Sequence, residues 1–462
     1  MTTLRVTSPF NGELIQTVAL CNAEDAERKL SAASQLFHDR DGWLEHHERT
    51  AILTKLAALV EAEADDFAML IAKEGGKPLV DARVEVARAI DGIHLASKEL
   101  SHIMRGEEIP MGHTKAAEGR TAFSSYEPIG VVLAVSAFNH PLNLIVHQVI
   151  PAVAVGCPVI VKPASATPLN CKRLVELLYQ AGLPEAWCQL CVCDNEVAEQ
   201  LVTDSRINFF TFIGSAKVGW YLRSQLAPGV RCALEHGGVA PVIVDDQVDL
   251  SEVIPSLLKG GFYHAGQVCV SVQRVYAHHS LARALADELA AAADTLVVGD
   301  ATLEQTDVGP LINHSEVDRV EQWVEEAVAA GAELMTGGKR LSDSTYAPTV
   351  LLNPPHDAKV STLETFGPVV CVYSYTDRIK AIELANSLDV AFQAAVYTKD
   401  LTVAMDTVKR LDATAVMVND HTAFRVDWMP FAGRRASGYG VGGIGYTMRD
   451  MVQIKMAVIK TG

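Results

Sequence analysis

The sequence predicts an α/β protein: two doubly wound parallel-sheet domains with a small β element attached. Three observations carry that prediction. Apolar, β-branched runs at 129–137, 158–161, 208–213 and 230–234 read as strands buried on both faces. Helical apolar spacing fills the gaps at 142–155, 169–181, 196–202 and 216–226. After Gly238 the alternation of strand and helix starts again, and such alternation builds a parallel sheet.

Taken in order, residues 1–20 read as short strands about an Asn11-Gly12 turn, a good hairpin signal. Amphipathic helices are expected at 23–37 and 48–73, the latter stopped by Gly75-Gly76-Lys77-Pro78, and a third at 80–100 with Arg88, Asp91 and Leu95 on one face. The stretch 110–127 is polar and irregular, with enough alternation over 121–126 for an edge strand. In the second series, strands are expected near 242–244, 274–278, 348–352, 369–375, 394–397 and 415–419, and helices at 250–264, 282–293, 317–330, 379–387 and 402–410. The tail ends in an alternating run, Gln453 to Lys460, which suits a strand pairing outside its own domain.

With 49% hydrophobic and 21% charged residues, the composition is that of an ordinary globular protein with ample core. No run approaches the length needed to span a bilayer, and the N-terminus lacks the pattern of a secretory signal. Nine cysteines, an odd number scattered through a long chain, read as reduced thiols in a cytoplasm. A net charge of −17 repels nucleic acid and anionic membranes. It also repels small anions, so an anionic substrate needs a local cluster of Arg, Lys or His.

Six stretches carry residue types suited to chemistry. In Gly266-Gln267-Val268-Cys269-Val270 a single cysteine follows a helix; it is a nucleophile or a buried small hydrophobe. In Leu234-Glu235-His236-Gly237-Gly238 a carboxylate ends an apolar run, where it can move protons. Ala137-Phe138-Asn139-His140-Pro141 offers Asn139 as an oxyanion donor or as a helix N-cap. Lys162 ends a buried strand, either facing a ligand crevice or snorkelling. The turn from Gly214 through Ser215 to Gly219 opens a helix and either cradles a phosphate or is only a turn; it is neither G-x-G-x-x-G nor a Walker A loop. Glu364-Thr365-Phe366-Gly367-Pro368 adds a carboxylate and a ring before a turn. Cys188, Cys191 and Cys193 resemble half a zinc site without a second half, so no metal is expected.

Together, in order and at familiar spacing, AFNHP, IVKPA, FIGSAKVG, LEHGG, GQVC, ETFGP and MPFAGRRASGYG resemble the aldehyde dehydrogenase superfamily over nearly the whole chain. The resemblance implies an NAD-dependent enzyme, with NADP possible, in which Cys269 attacks the aldehyde as a thiolate. Asn139 and the Cys269 N–H would hold the oxyanion. After hydride transfer to the nicotinamide, Glu235 would activate water to hydrolyse the thioester. Lys162, Ser165, Gly214, Ser215, Gly219, Glu364, Phe366 and Phe138 would contact the cofactor. It further implies a dinucleotide-binding domain at 1–109 and 128–237, a catalytic domain at 238–439, and an oligomerisation hairpin and C-terminal strand at 110–127 and 440–462. The expected assembly is a homodimer or homotetramer.

Departures from the family pattern sharpen the reading. Ser165 stands where strictly NAD-dependent relatives often have a glutamate, so a 2′-phosphate is not repelled. Gly442 and Gly443 replace a second carboxylate near the C-terminus, leaving Glu235 to act alone. The presence of Glu235 favours hydrolysis over acylation of CoA. A catalytically silent relative would have lost nucleophile or base, whereas Cys269, Glu235 and Asn139 are all present. Arg88, His140, Asn143, His147 and Arg425 fall where the resemblance places the substrate tunnel, which favours a small anionic or hydroxylated aldehyde of the sulfoacetaldehyde, lactaldehyde or phosphonoacetaldehyde type. Val268 stands where some phosphonate users carry arginine, which weighs against that dianion. A semialdehyde bearing a carboxylate, such as succinate semialdehyde, is the alternative. Arg88 and Arg425 could instead be tied up by Asp91 and Asp427.

Overall fold

The computed structural model describes residues 2–460. Its centre is a sheet of six strands in the order Gly438–Tyr439, Arg231–Glu235, Ile207–Ile213, Val131–Val135, Val159–Lys162 and Cys188–Leu190. The last five are parallel, and Gly438–Tyr439 joins antiparallel. Val131–Val135 is buried at every position because both faces are covered. One face packs Asn143–Val155, Leu169–Ala181 and the long helix Leu79–Ile103; the other packs Ala23–His38 and Asn195–Thr203. The chain runs outward in opposite directions from Val131–Val135, so the crevice between it and Ile207–Ile213 is a topological switch point, where α/β sheets bind ligands.

The second sheet has seven strands, ordered Glu333–Thr336, Thr349–Leu352, Val369–Tyr375, Val272–His278, Ala240–Val244, Gln393–Tyr397 and Ala415–Val418. Only the first strand is antiparallel to its neighbour. The α/β class and the two parallel sheets are therefore as the sequence implies. The N-terminal hairpin Thr3–Thr7 with Leu14–Ala19 also forms, its turn passing through Gly12 at φ +72°.

Three local expectations change. The helix expected at 48–73 is two helices, His46–Ala62 and Ala64–Gly75, because the backbone leaves helical geometry at Glu63 (φ −111°, ψ 20°), whose carboxylate is gripped by Arg173. The helix expected at 250–264 ends at Phe262, and His264, Ala265 and Gly266 are all left-handed, at φ 49°, 54° and 70°. The strand expected at an edge, Arg120–Pro128, is the middle strand of a three-stranded sheet, between Val452–Lys460 and the two-residue strand Glu108–Ile109. It takes the central place because the tail returns to it: Ile444–Asp450 first packs its Ile444 and Met448 into the core of the six-stranded unit, and only Val452–Lys460 runs on to the small sheet.

Candidate active site

A cavity of about 990 Å³ opens between the two sheets, and the carboxyl ends of four parallel strands meet in its wall through Ser136, Lys162, Gly214 and Glu235. Across from them the wall is made by Cys269 and by the loop holding Glu364 and Phe366. The topology, more than any one motif, brings these segments together.

The cysteine loop is set by backbone contacts. Gly266 lies at φ +70°, and a Cβ there would collide with the carbonyl of Gly367, so the loop bearing Cys269 and the loop bearing Glu364 touch main chain to main chain. Gln267 bolts the loop down: its Nε2 donates to the Pro310 carbonyl at 3.2 Å, and its Oε1 accepts from the Ile312 N–H at 2.9 Å. The Cys269 carbonyl accepts from the Gly238 N–H at 3.2 Å, fixing it to the segment that follows Glu235. Burial, then the proximity of Glu235, pushes the Cys269 thiol well above its usual range, while Arg425 pulls it down. Glu235 ends its strand beside Arg425; burial raises its carboxyl and Arg425 opposes the rise. A carboxyl raised by burial beside a thiol raised by burial makes a pair in which protons can be moved.

Asn139 is buried, and its Nδ2 donates to the Gln267 carbonyl at 2.9 Å, so its amide is aimed at the cysteine loop. The loop owes its place to residues that sequence reasoning missed. Glu85, buried on the long helix, accepts with Oε1 from the N–H groups of Leu142 and Asn143 at 3.0 Å each and with Oε2 from the buried Lys77. Glu74 does the same for Leu169 and Asn170, at 2.8 and 2.9 Å. Carboxylates at helix starts satisfy orphan N–H groups and meet the positive end of the dipole. The available signal was a pair of acids, Asp81 and Glu85, on the same apolar face as Ala82, Val86 and Ala89.

The other half of the cavity fits a dinucleotide. Glu364 is half-buried with its Oε1 enclosed and lacking any partner among the described residues, and burial raises its carboxyl to about 8, so the group is short of a hydrogen-bonding ligand such as a ribose hydroxyl. Phe138 and Phe366 meet edge to face at 5.8 Å along the wall. Lys162 is buried there with only one long contact, 3.5 Å to the Pro163 carbonyl. Ala198, Val202, Phe212, Val218 and Leu222 form an apolar slot at that end. Gly214 and Ser215 line the cavity, with the Gly214 N–H donating to the Glu235 carbonyl at 3.1 Å. Gly219 does not line it: it is glycine because a Cβ would collide with the ring of His236. Ser165 is exposed, just beyond the lining residue Ala164.

At the substrate end, Arg88, His140, Asn143 and Arg425 border the cavity; His147 does not. The expected ion pairs are redistributed. Asp91 is exposed, and Arg88 reaches Asp427 instead. Asp427 also accepts from Asn143 at 3.2 Å and from His147 Nε2 at 2.7 Å. Against its burial, these partners hold the Asp427 carboxyl far below the usual range. His147, pushed down to about 4 by burial, is neutral at neutral pH, which leaves its Nδ1 to accept from Arg425 Nη2 at 3.4 Å. Arg425 lies on the face of Phe431, 3.6 Å from the ring centre, and its buried Nε has no partner. His140 is driven well below its usual range by burial and by Lys77, so it is also neutral, with the Tyr263 hydroxyl 3.3 Å away.

Among the described residues there is no group of three or more His, Cys, Asp or Glu able to hold a metal ion, and no helix long and apolar enough to cross a membrane. Cys188, Cys191 and Cys193 are buried in the packing of the first sheet.

Comparison with known proteins supplies the frame. The model of the aldehyde dehydrogenase family matches residues 1–457. The 3-sulfolactaldehyde dehydrogenase of Priestia aryabhattai is 35% identical over 458 residues, covering 99% of this chain and 94% of that one. Aldehyde dehydrogenase 21 from Physcomitrella patens, solved in complex with the reaction product succinate, superposes with a TM-score of 0.95 at 36% identity, covering 100% of this chain and 95% of that one. Glyceraldehyde-3-phosphate dehydrogenase from Methanocaldococcus jannaschii, complexed with NADP, gives 0.93 at 33%, covering 99% of each.

Proposed function

The chain belongs to the aldehyde dehydrogenase family, an NAD(P)-dependent oxidoreductase of aldehydes, and from that premise we propose that it oxidises a short anionic or hydroxylated aldehyde of the sulfoacetaldehyde or lactaldehyde type to its acid. The observation that carries the substrate reading is Arg425: a cation in the cavity wall beside Cys269 and Glu235, with a buried N–H that no group among the described residues accepts. An anionic substituent on the substrate would take that N–H.

In this reading a water beside Glu235 carries the thiol proton off to solvent, leaving Glu235 free for the second half of the reaction, and Cys269 attacks the carbonyl carbon, giving a thiohemiacetal. The Asn139 amide and the Cys269 N–H stabilise the oxyanion. The nicotinamide cofactor, when bound, would supply the hydride acceptor; Glu364 and Lys162 would hold its riboses, with Phe366 and Phe138 along the cavity wall. Collapse leaves a thioester on Cys269. Glu235, as carboxylate, then takes a proton from water as the water attacks, and the acid leaves as the thiol is restored. Residues 1–109 and 128–237 serve as the dinucleotide-binding domain and 238–439 as the catalytic one. Ser165 at the rim places no carboxylate against a 2′-phosphate, so both NAD and NADP are accepted.

The carboxylate-bearing alternative, a semialdehyde dehydrogenase, is favoured by the succinate in the moss enzyme. We assign the exposed apolar residues of the edge strand Val452–Lys460, Ile454 and Met456 among them, to contact with a second copy in a dimer or tetramer. A reducing, cytoplasmic address fits nine free cysteines. The test is product analysis with sulfoacetaldehyde, with and without CoA. One sulfoacetate per reduced cofactor without CoA is expected; product only with CoA would overturn the hydrolytic reading.

A further inference from the structure

Three cationic side chains, Arg88, Lys259 and Arg425, border the substrate end of the cavity, but two are already neutralised. Lys259 pairs with Asp81. Arg88 gives both Nε and Nη2 to Asp427, a bidentate grip that spends its fork. Among the described residues no carboxylate lies within ion-pair distance of Arg425.

Glu235, Arg88 and Asp427 face it, and among the described residues none forms an ion pair with it. His147 and His140 are neutral by burial. Burial raises both the Glu235 carboxyl and the Cys269 thiol. Tyr263, across from His140, has its phenol pushed well above the usual range, and burial lowers His421 at the mouth.

We infer that Asp427, by consuming the charge of Arg88, leaves this site with one uncompensated positive charge and so makes the enzyme selective for an aldehyde carrying a single negative charge, a sulfonate or a carboxylate, over one carrying two. The inference rests on the anionic reading above. A monoanion pairs with Arg425 and leaves nothing unpaired. The second charge of a dianion would be desolvated without a partner, which is costly, and would face Asp427. The net charge of −17 doubles its repulsion of such a substrate on approach.

The experiment uses the wild-type protein and lets the substrate change its charge. Sulfoacetaldehyde stays a monoanion between about pH 6 and pH 8, whereas phosphonoacetaldehyde loses its second proton near neutrality. The ratio of their kcat/KM values cancels whatever Cys269 and Glu235 do in common. That ratio should rise about ten-fold in favour of the sulfonate across the range. A flat or falling ratio overturns the inference. Propanal in the same series separates the two levels: anions no better than propanal overturn the anionic reading itself, whereas favoured anions with a flat ratio overturn only the charge limit. Succinate semialdehyde tells which monoanion is taken; either one leading the dianion supports the inference. In Asp427→Asn, the sulfonate-to-phosphonate ratio at the upper pH should fall about ten-fold as Arg88 is released; an unchanged ratio would show that the charge of Arg88 never reaches substrate.

Discussion

Arg88 and Asp427, 339 residues apart, are joined by two hydrogen bonds of 2.7 and 3.1 Å between the long helix of the first unit and the loop that carries Arg425. The pair ties the dinucleotide side of the cavity to its substrate side. It also decides which arginine remains to meet a substrate.

Asp427→Ala should therefore destabilise the protein, since Arg88, Asn143 and His147 all lose one acceptor. Breaking a buried, hydrogen-bonded pair from one side costs about 3–5 kcal/mol, read as a lowered midpoint in urea unfolding. The pH dependence has a definite sign. The folded Asp427 carboxyl lies below its unfolded value, so its contribution is full above about pH 5 and is lost as pH falls through the acid range. The stability gap between wild type and Asp427→Asn should shrink as pH drops from 5 toward 3.

Cys269→Ala should abolish aldehyde oxidation, by roughly 1,000-fold or more in kcat, as expected for loss of a covalent nucleophile. Cofactor binding, followed by tryptophan fluorescence or calorimetry, should survive. Residual turnover within ten-fold of wild type would remove Cys269 from the chemistry.

Glu235→Gln separates the two halves of the reaction. Water activation should fail, so steady-state kcat drops by about 100-fold or more, while a stopped-flow trace still shows a burst of reduced cofactor. In the wild type, burial holds the Glu235 carboxyl high, so kcat should climb with pH through that raised value. A variant that loses burst and steady state together would assign Glu235 to activating the thiol.

Glu364→Gln trades function against stability. The carboxyl is enclosed, unpartnered at Oε1 among the described residues, and raised to about 8, so its ionisation burdens the folded state more as pH rises above its unfolded value toward 8. The variant should gain Tm over wild type as pH goes from about 5 to 8 and level off above that, and its KM for cofactor should rise about ten-fold for loss of a charged hydrogen-bond acceptor. A variant neither more stable at high pH nor weaker for cofactor would contradict the placement of Glu364.

Much of this molecule was legible in the chain. Strands such as Val131–Val135 announce themselves because burial on both faces forces a β-branched run. Cys269, Glu235 and Asn139 were marked by short motifs in a fixed order, and the fold brings them to one cavity. What stayed hidden depends on distance along the chain. Arg88 read as a substrate contact or else as a partner for nearby Asp91, and the carboxylate it holds lies in the substrate loop. The break falls at Glu63, which Arg173 holds from another helix, a tertiary contact that helical periodicity cannot register. Glu85 looked like one more acid on an amphipathic helix; only packing shows it capping the helix that follows Asn139. Gly219 read as a phosphate contact, and its real constraint is the ring of His236.

Arg425→Ala should lose kcat/KM for short anionic aldehydes about 100-fold more than for propanal, the discrimination expected of one buried charge contact. Equal losses on both would make Arg425 a structural residue stacked on Phe431.

The most direct measurement is the initial rate of NADH and NADPH formation by the wild type on sulfoacetaldehyde, lactaldehyde, succinate semialdehyde and propanal. The Arg425 site predicts kcat/KM at least about 100-fold higher for a short anionic aldehyde than for propanal, about 2.7 kcal/mol of transition-state discrimination. A flat profile, or one led by propanal, would contradict it.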